Sequence, residues 1–62
     1  MNNQFNNKKF NIGDLVVYNS GRIKRSGEID EVTLNERGEV IYLIHLDDTE
    51  LVWVSEKYLE KF

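Results

Sequence analysis

Residues 27–46 read GEIDEVTLNERGEVIYLIHL, and their phase selects a β fold. In EVIYLIHL, Val40, Tyr42, Ile44 and Leu46 fall on one face, and Ile41, Leu43 and His45 on the other. Both faces are largely apolar, which predicts a central strand covered on two sides. Upstream, Ile29, Val32 and Leu34 break strict alternation between 29 and 32. One extra residue there predicts a β-bulge or a strong bend. Between the two runs, NERGE is a hairpin signal, with Asn35 and Gly38 both able to take positive φ.

Working outward, FNIGDLVVY places Phe10, Ile12, Val16 and Tyr18 at even positions, with Gly13-Asp14 as a turn. A first strand is expected at about 14–19. NSGRIKRSG is bracketed by Asn, Ser and two glycines and reads as a loop, anchored by Ile23. DDTE (47–50) reads as a tight turn in which Asp side chains bond the local backbone. LVWV is the fourth strand, and Ser55 is positioned to cap one helical turn. SEKYLEKF then returns Tyr58 or Leu59, and Phe62, to the core.

At 62 residues the chain makes one domain. A chain this short buries only about 60% of its unfolded surface, and its core supplies no more than ~3–5 kcal/mol of net stability. The absence of Cys excludes a disulfide scaffold, a thiolate zinc site and a Cys nucleophile. An apolar fraction of 40% with 31% charged residues is a globular composition. No apolar run approaches the ~18–20 residues that span a bilayer. MNNQFNNKKF lacks the apolar centre of a secretory signal. The expectation is a soluble cytoplasmic protein without membrane contact, with residues 1–9 as a flexible polar leader before a domain at 10–62.

The net charge of −3 is unevenly spread. Residues 1–25 carry five cations against Asp14, giving +4, and residues 26–62 carry three cations against ten carboxylates, giving −7.

The succession of strand, loop, bent strand, hairpin, strand, tight turn, strand, single turn and tail resembles the five-stranded barrel of Src-homology-3, Tudor and KOW domains. IGDLVVY (12–18) is similar to the opening strand of Tudor, KOW and CarD-type RNA-polymerase-interacting modules. VSEKYL (54–59) is similar to the close of Src-homology-3 domains, where a single 3₁₀ turn with a Tyr precedes the last strand. The likeness runs over residues 10–62 and implies an all-β, five-stranded Src-homology-3-like small barrel with a terminal 3₁₀ turn. It leaves function open. Of the groove that binds Pro-rich peptides only Tyr58 has a counterpart. RIKR replaces the acidic loop, and the Trp pair of the third strand is absent, so Pro-peptide binding is not expected. For a methyl-lysine cage, Tyr18 matches one wall, but Ile23, Leu43 and His45 do not complete it.

Catalysis is not expected, because His45 beside Asp47, Asp48 and Thr49 has little volume for a pocket. Asp47, Asp48, Glu50 and His45 span a turn too short for a Ca²⁺ loop, so no metal or other cofactor is expected. RIKR at 22–25, joined by Lys8 and Lys9, is a candidate phosphate-binding surface with Tyr18 and Tyr42 for stacking. A pI of about 5.0 weighs against a dedicated nucleic-acid domain. In LVWV, either Leu51 and Trp53 or Val52 and Val54 face the core. A barrel this small usually needs one large aromatic inside, a place Trp53 can fill. The opposite phase exposes Leu51 and Trp53 beside Ile41 and Leu43 as an interaction patch. Glu28, Asp30, Glu31, Glu36, Glu39, Asp47, Asp48 and Glu50 also permit an acidic DNA mimic.

The main expectation is a non-catalytic protein-binding module presenting Tyr18, Arg22, Lys24, Arg25, Trp53 and Tyr58. The alternative is a nucleic-acid-binding KOW- or Tudor-like module using Lys8, Lys9, Arg22, Lys24 and Arg25. The length and the Asn/Lys-rich character suit an accessory or regulatory protein of a phage or other mobile element.

Overall fold

A computed structural model describes residues 8–46 and 50–62. Five strands lie in one antiparallel sheet: β1 (Leu15–Asn19), β2 (Lys24–Leu34), β3 (Val40–Leu46), β4 (Leu51–Ser55) and β5 (Leu59–Lys61). Their order across the sheet is β4-β3-β2-β1-β5. β4 and β5 are its two margins, so the sheet is open, and a 3₁₀ turn at Glu56–Tyr58 carries the chain from one margin toward the other. Among the described residues no helix is long and apolar enough to cross a membrane.

β2 holds the sheet together because it pairs with β1 through Lys24–Glu28 and with β3 through Gly27–Leu34. The register shifts between Ile29 and Glu31, at the predicted bulge. Asp30 is the extra residue. It lets Gly27, Ile29, Val32 and Leu34 all face Leu46, Ile44, Tyr42 and Val40. The turn before β1 secures the bend. The Gly13 N–H donates to the Ile29 carbonyl at 2.8 Å, and the Ile29 N–H donates to the Asp14 carbonyl at 2.9 Å.

The buried core consists of Phe10, Val16, Ile29, Tyr42, Ile44, Leu46, Val54 and Leu59, with Tyr18, Val32, Val40 and Val52 packed against it. Phe10 and Tyr42 meet edge to face, with ring centroids 5.6 Å apart. The Tyr42 hydroxyl donates to Glu56 Oε2 at 2.6 Å and accepts from the Phe10 N–H at 3.3 Å. The same Glu56 oxygen accepts from the Lys9 N–H at 2.8 Å. One buried phenol thus fastens the N-terminal segment, β3 and the 3₁₀ turn together.

Several expectations need correction. RIKR is not all loop, since β2 already begins at Lys24, drawn into pairing with Asn19. Gly27 is not a loop bracket but sits inside β2, where a Cβ would come within 2.6 Å of Ile44 Cγ2 and 2.8 Å of the His45 carbonyl oxygen. At the 35–39 hairpin only Gly38 has positive φ. Asn35 works through its side chain, whose Oδ1 accepts from the Arg37 and Glu39 N–H groups. Ser55 makes no side-chain cap, and the 3₁₀ turn is held from the interior through Glu56 instead. Leu59 returns to the core, whereas Ile12, Tyr58 and Phe62 are exposed. The turn at 47–49 lies outside the described residues.

Gly27→Ala is expected to cost about 1–3 kcal/mol, because β2 and β3 must part or Ile44 must leave its rotamer. A urea midpoint unchanged from wild type would show that the approach is not restrictive. The Tyr42 hydroxyl is pushed up to about 12, by burial first and by its bond to Glu56 second. An unfolded tyrosine titrates near 10. The folded chain therefore holds this proton more tightly, and the associated stability is complete below about pH 10 and lost as pH rises through about 12. Tyr42→Phe is expected to cost about 1–3 kcal/mol at neutral pH, since the Phe10 N–H loses its partner. It should also flatten the alkaline fall in stability. Urea midpoints of both proteins across that range check this, and parallel curves would contradict it.

Candidate functional site

The sheet has an outer face, opposite the core, and the bulge sets its composition. Cross-strand rows on it read Leu15–Glu28–His45–Leu51, then Glu31–Leu43–Trp53, then Thr33–Ile41–Ser55. Val54 is buried and Val52 is half-buried, which fixes the phase of β4. Leu51 and Trp53 point outward and remain 50% and 51% exposed. Trp53 is therefore not the core aromatic; Tyr42, with no exposed surface, fills that place together with Phe10. Leu43 and Ile41 are half-buried beside Trp53. The result is an apolar patch on β3 and β4, bordered on β2 by Glu28 and Glu31. Exposed patches with a large aromatic at their centre mark interaction surfaces.

The basic residues lie elsewhere. Tyr18 is paired with Arg25 on one side and Leu59 on the other, so one row crosses β2, β1 and β5. Tyr58 directly precedes Leu59 and is 47% exposed, with Lys57 Nζ 5.4 Å from its ring centroid. Arg22 and Lys24 are exposed at the same end of β1. Tyr18, Arg22, Lys24, Arg25 and Tyr58 thus gather around one end of β1, and Trp53 is not among them. Lys24 and Arg25, as neighbours in a strand, point to opposite faces. Arg25 Nη1 contacts Glu50 Oε1 at 3.0 Å. A half-exposed pair of this kind contributes at most about 1 kcal/mol.

Lys8 and Lys9 do not join this group. Lys9 lines a cleft of about 300 Å³ with Phe10, Asn11, Asp14, Leu15 and Lys61, at the start of β1. That is four residues from Asn19, or roughly 13 Å along the strand. Tyr42 is buried and is removed from any stacking role. The acidic residues do not form one row: Glu28 and Glu31 lie on the outer face, whereas Glu36 and Glu39 belong to the hairpin end. Among the described residues no three His, Asp or Glu side chains converge as metal ligands. Asp47, Asp48 and Thr49 lie outside the described residues.

Comparison of the chain with models of protein families, with curated proteins and with solved structures finds no match.

The sequence left the phase of β4 open and leaned toward Trp53 as the core aromatic, which its exposure overturns. The signal that separates the two phases is Tyr42, which alternates with Val40, Ile44 and Leu46 on the core face and leaves no need for a second large aromatic there. Trp53→Ala is accordingly expected to change stability by less than about 1 kcal/mol. Its fluorescence should be quenched by acrylamide almost as readily in the folded chain as in urea. A large loss of stability, or a shielded Trp53, would place the residue inside.

Proposed function

We propose that this chain is a non-catalytic protein-binding module that docks its partner on the outer face of β3 and β4. The observation that carries this reading is Trp53, half exposed at the centre of Leu51, Leu43 and Ile41 on the paired strands β3 and β4. Burying a side chain of this kind on association removes much apolar area at little conformational cost, the usual character of an interface anchor. The strand order, the bent β2 and the 3₁₀ turn before β5 support the further reading that the sheet curls as an Src-homology-3-like small barrel. In that frame the module acts as a rigid platform, an accessory or regulatory protein working in the cytoplasm.

A second reading is favoured by a separate observation: the gathering of Tyr18, Arg22, Lys24, Arg25 and Tyr58 at one end of β1. Cations beside tyrosines suit single-stranded nucleic acid. Only three cations, with Lys24 and Arg25 on opposite faces of β2, and a pI of about 5.0 make this the weaker reading.

The two are separated by affinity capture from a source-cell lysate, with wild type, Trp53→Ser and the double variant Arg22→Glu/Lys24→Glu as baits, each with and without nuclease. Proteins retained by wild type after nuclease treatment and by the double variant, but lost with Trp53→Ser, are the expected result. Retention that needs nucleic acid and survives Trp53→Ser would transfer the function to the basic end.

A further inference from the structure

The two margins of the sheet are built differently. β5 is three residues long, and two of them, Glu60 and Lys61, are charged. Short, charged edges resist pairing with another chain. β4 is five residues, LVWVS, with no charge, no proline and an unbroken register against β3. The hydrogen-bonding phase of that edge can be read from the turn. The Leu46 N–H donates to the Glu50 carbonyl at 2.9 Å, so 46–50 is a hydrogen-bonded pair. The antiparallel ladder alternates, so 44–52 and 42–54 are bonded pairs as well. The backbone N–H and C=O groups of Leu51 and Trp53 therefore point away from β3 toward the open margin, on the residues whose side chains form the apolar patch.

Charge selects the occupant. Residues 38–56 hold five carboxylates (Glu39, Asp47, Asp48, Glu50 and Glu56) and no Lys or Arg. Arg25 reaches one of them, Glu50, from β2. Glu28 and Glu31 add two more carboxylates on the outer face. A second copy of the chain, paired antiparallel about Trp53, would set Glu50 of one copy opposite Glu56 of the other, and like charges directly opposed across strands are destabilising. A cationic segment meets the same edge with complementary charge.

We propose that β4 is a docking edge for an extended, cationic segment of another protein, which adds as a sixth strand beside β4. Its apolar side chains, at alternate positions, cover Trp53 and Leu51. Its backbone bonds the N–H and C=O groups of Leu51 and Trp53, and its Lys or Arg residues meet the negative charge of Glu50 and of the acidic outer face. Recognition of this type takes affinity from the main chain and specificity from alternate side chains. The inference rests on the protein-binding reading above but can fail without it.

The test is an NMR titration of the ¹⁵N-labelled full chain with an acetylated peptide alternating Val and Lys over about ten residues, against the same peptide with Glu for Lys. The Val-Lys peptide should slow amide exchange at Leu51 and Trp53 at least about tenfold. Its binding should weaken at least about tenfold between low salt and 0.5 M salt, and again in Trp53→Lys. The Val-Glu peptide should not bind. Absence of binding by the Val-Lys peptide overturns the proposal, as does equal binding of the Val-Glu peptide. Shifts of the Trp53 indole without protection of the β4 amides would sink the edge mode and leave a face-docking module. Protection of those amides by raising the protein concentration alone would make a second copy the occupant and overturn the cationic partner. Partner capture through Trp53 with no response to the peptide would leave the proposed function standing and remove this inference.

Discussion

The extra residue in β2 is the constraint on which the rest of the molecule depends. Side chains in a strand alternate with period two, so a slip of one residue exchanges the two faces. Without Asp30 out of step, Ile29 and Val32 could not share a face, and one half of β2 would turn its apolar residues outward. The bulge lets a single long strand serve β1 with its first half and β3 with its second. It also leaves Glu28 and Glu31 together on the outer face, beside His45 and Leu43. The core and the charge pattern of the candidate site thus have one cause. The Gly13–Asp14 turn bonds both backbone groups of Ile29, so the bend does not depend on β2 alone.

Much of this was legible in the chain. The bulge, the hairpin at 35–39, the two faces of β3 and the 3₁₀ turn all follow from local phase and turn chemistry, which short windows record. The errors have two physical sources: contacts distant in sequence at Gly27 and at the 3₁₀ turn, and pairing or side-chain bonding within a few residues at Lys24 and Asn35. Lys24 joins β2 because Asn19 is across from it, and Gly27 is a packing glycine because Ile44 and the His45 carbonyl lie against it. Asn35 fits the hairpin by side-chain bonding instead of by left-handed backbone. Glu56, 47 residues from Lys9, holds the turn that Ser55 was expected to cap. The patch residues were nameable from the sequence as one of two phases of LVWV, but the choice between them depends on what else fills the interior.

That choice links the interior to the composition of the outer face. A small domain has few positions for a large aromatic, and two rings in edge-to-face contact, Phe10 and Tyr42, already occupy them. Tyr42 brings a hydroxyl into the interior, which needs partners to avoid a desolvation cost. It finds them in the Phe10 N–H and Glu56, so the polar atom that makes Tyr an awkward core residue becomes the fastening between the N-terminal segment and the 3₁₀ turn.

With the interior satisfied in this way, folding makes no demand on Trp53. A threonine would suit the exposed face of β4 equally well, and a lysine there would protect its edge from unwanted pairing. A domain with little stability to spare instead carries its one tryptophan and an exposed leucine on an uncharged edge strand, within a hairpin that holds carboxylates and no cation. The same sheet charges its other margin at Glu60 and Lys61. Surface chemistry that costs solubility and does nothing for the core is what the proposed partner would cover, and the carboxylates around it are the reason a cationic chain is proposed.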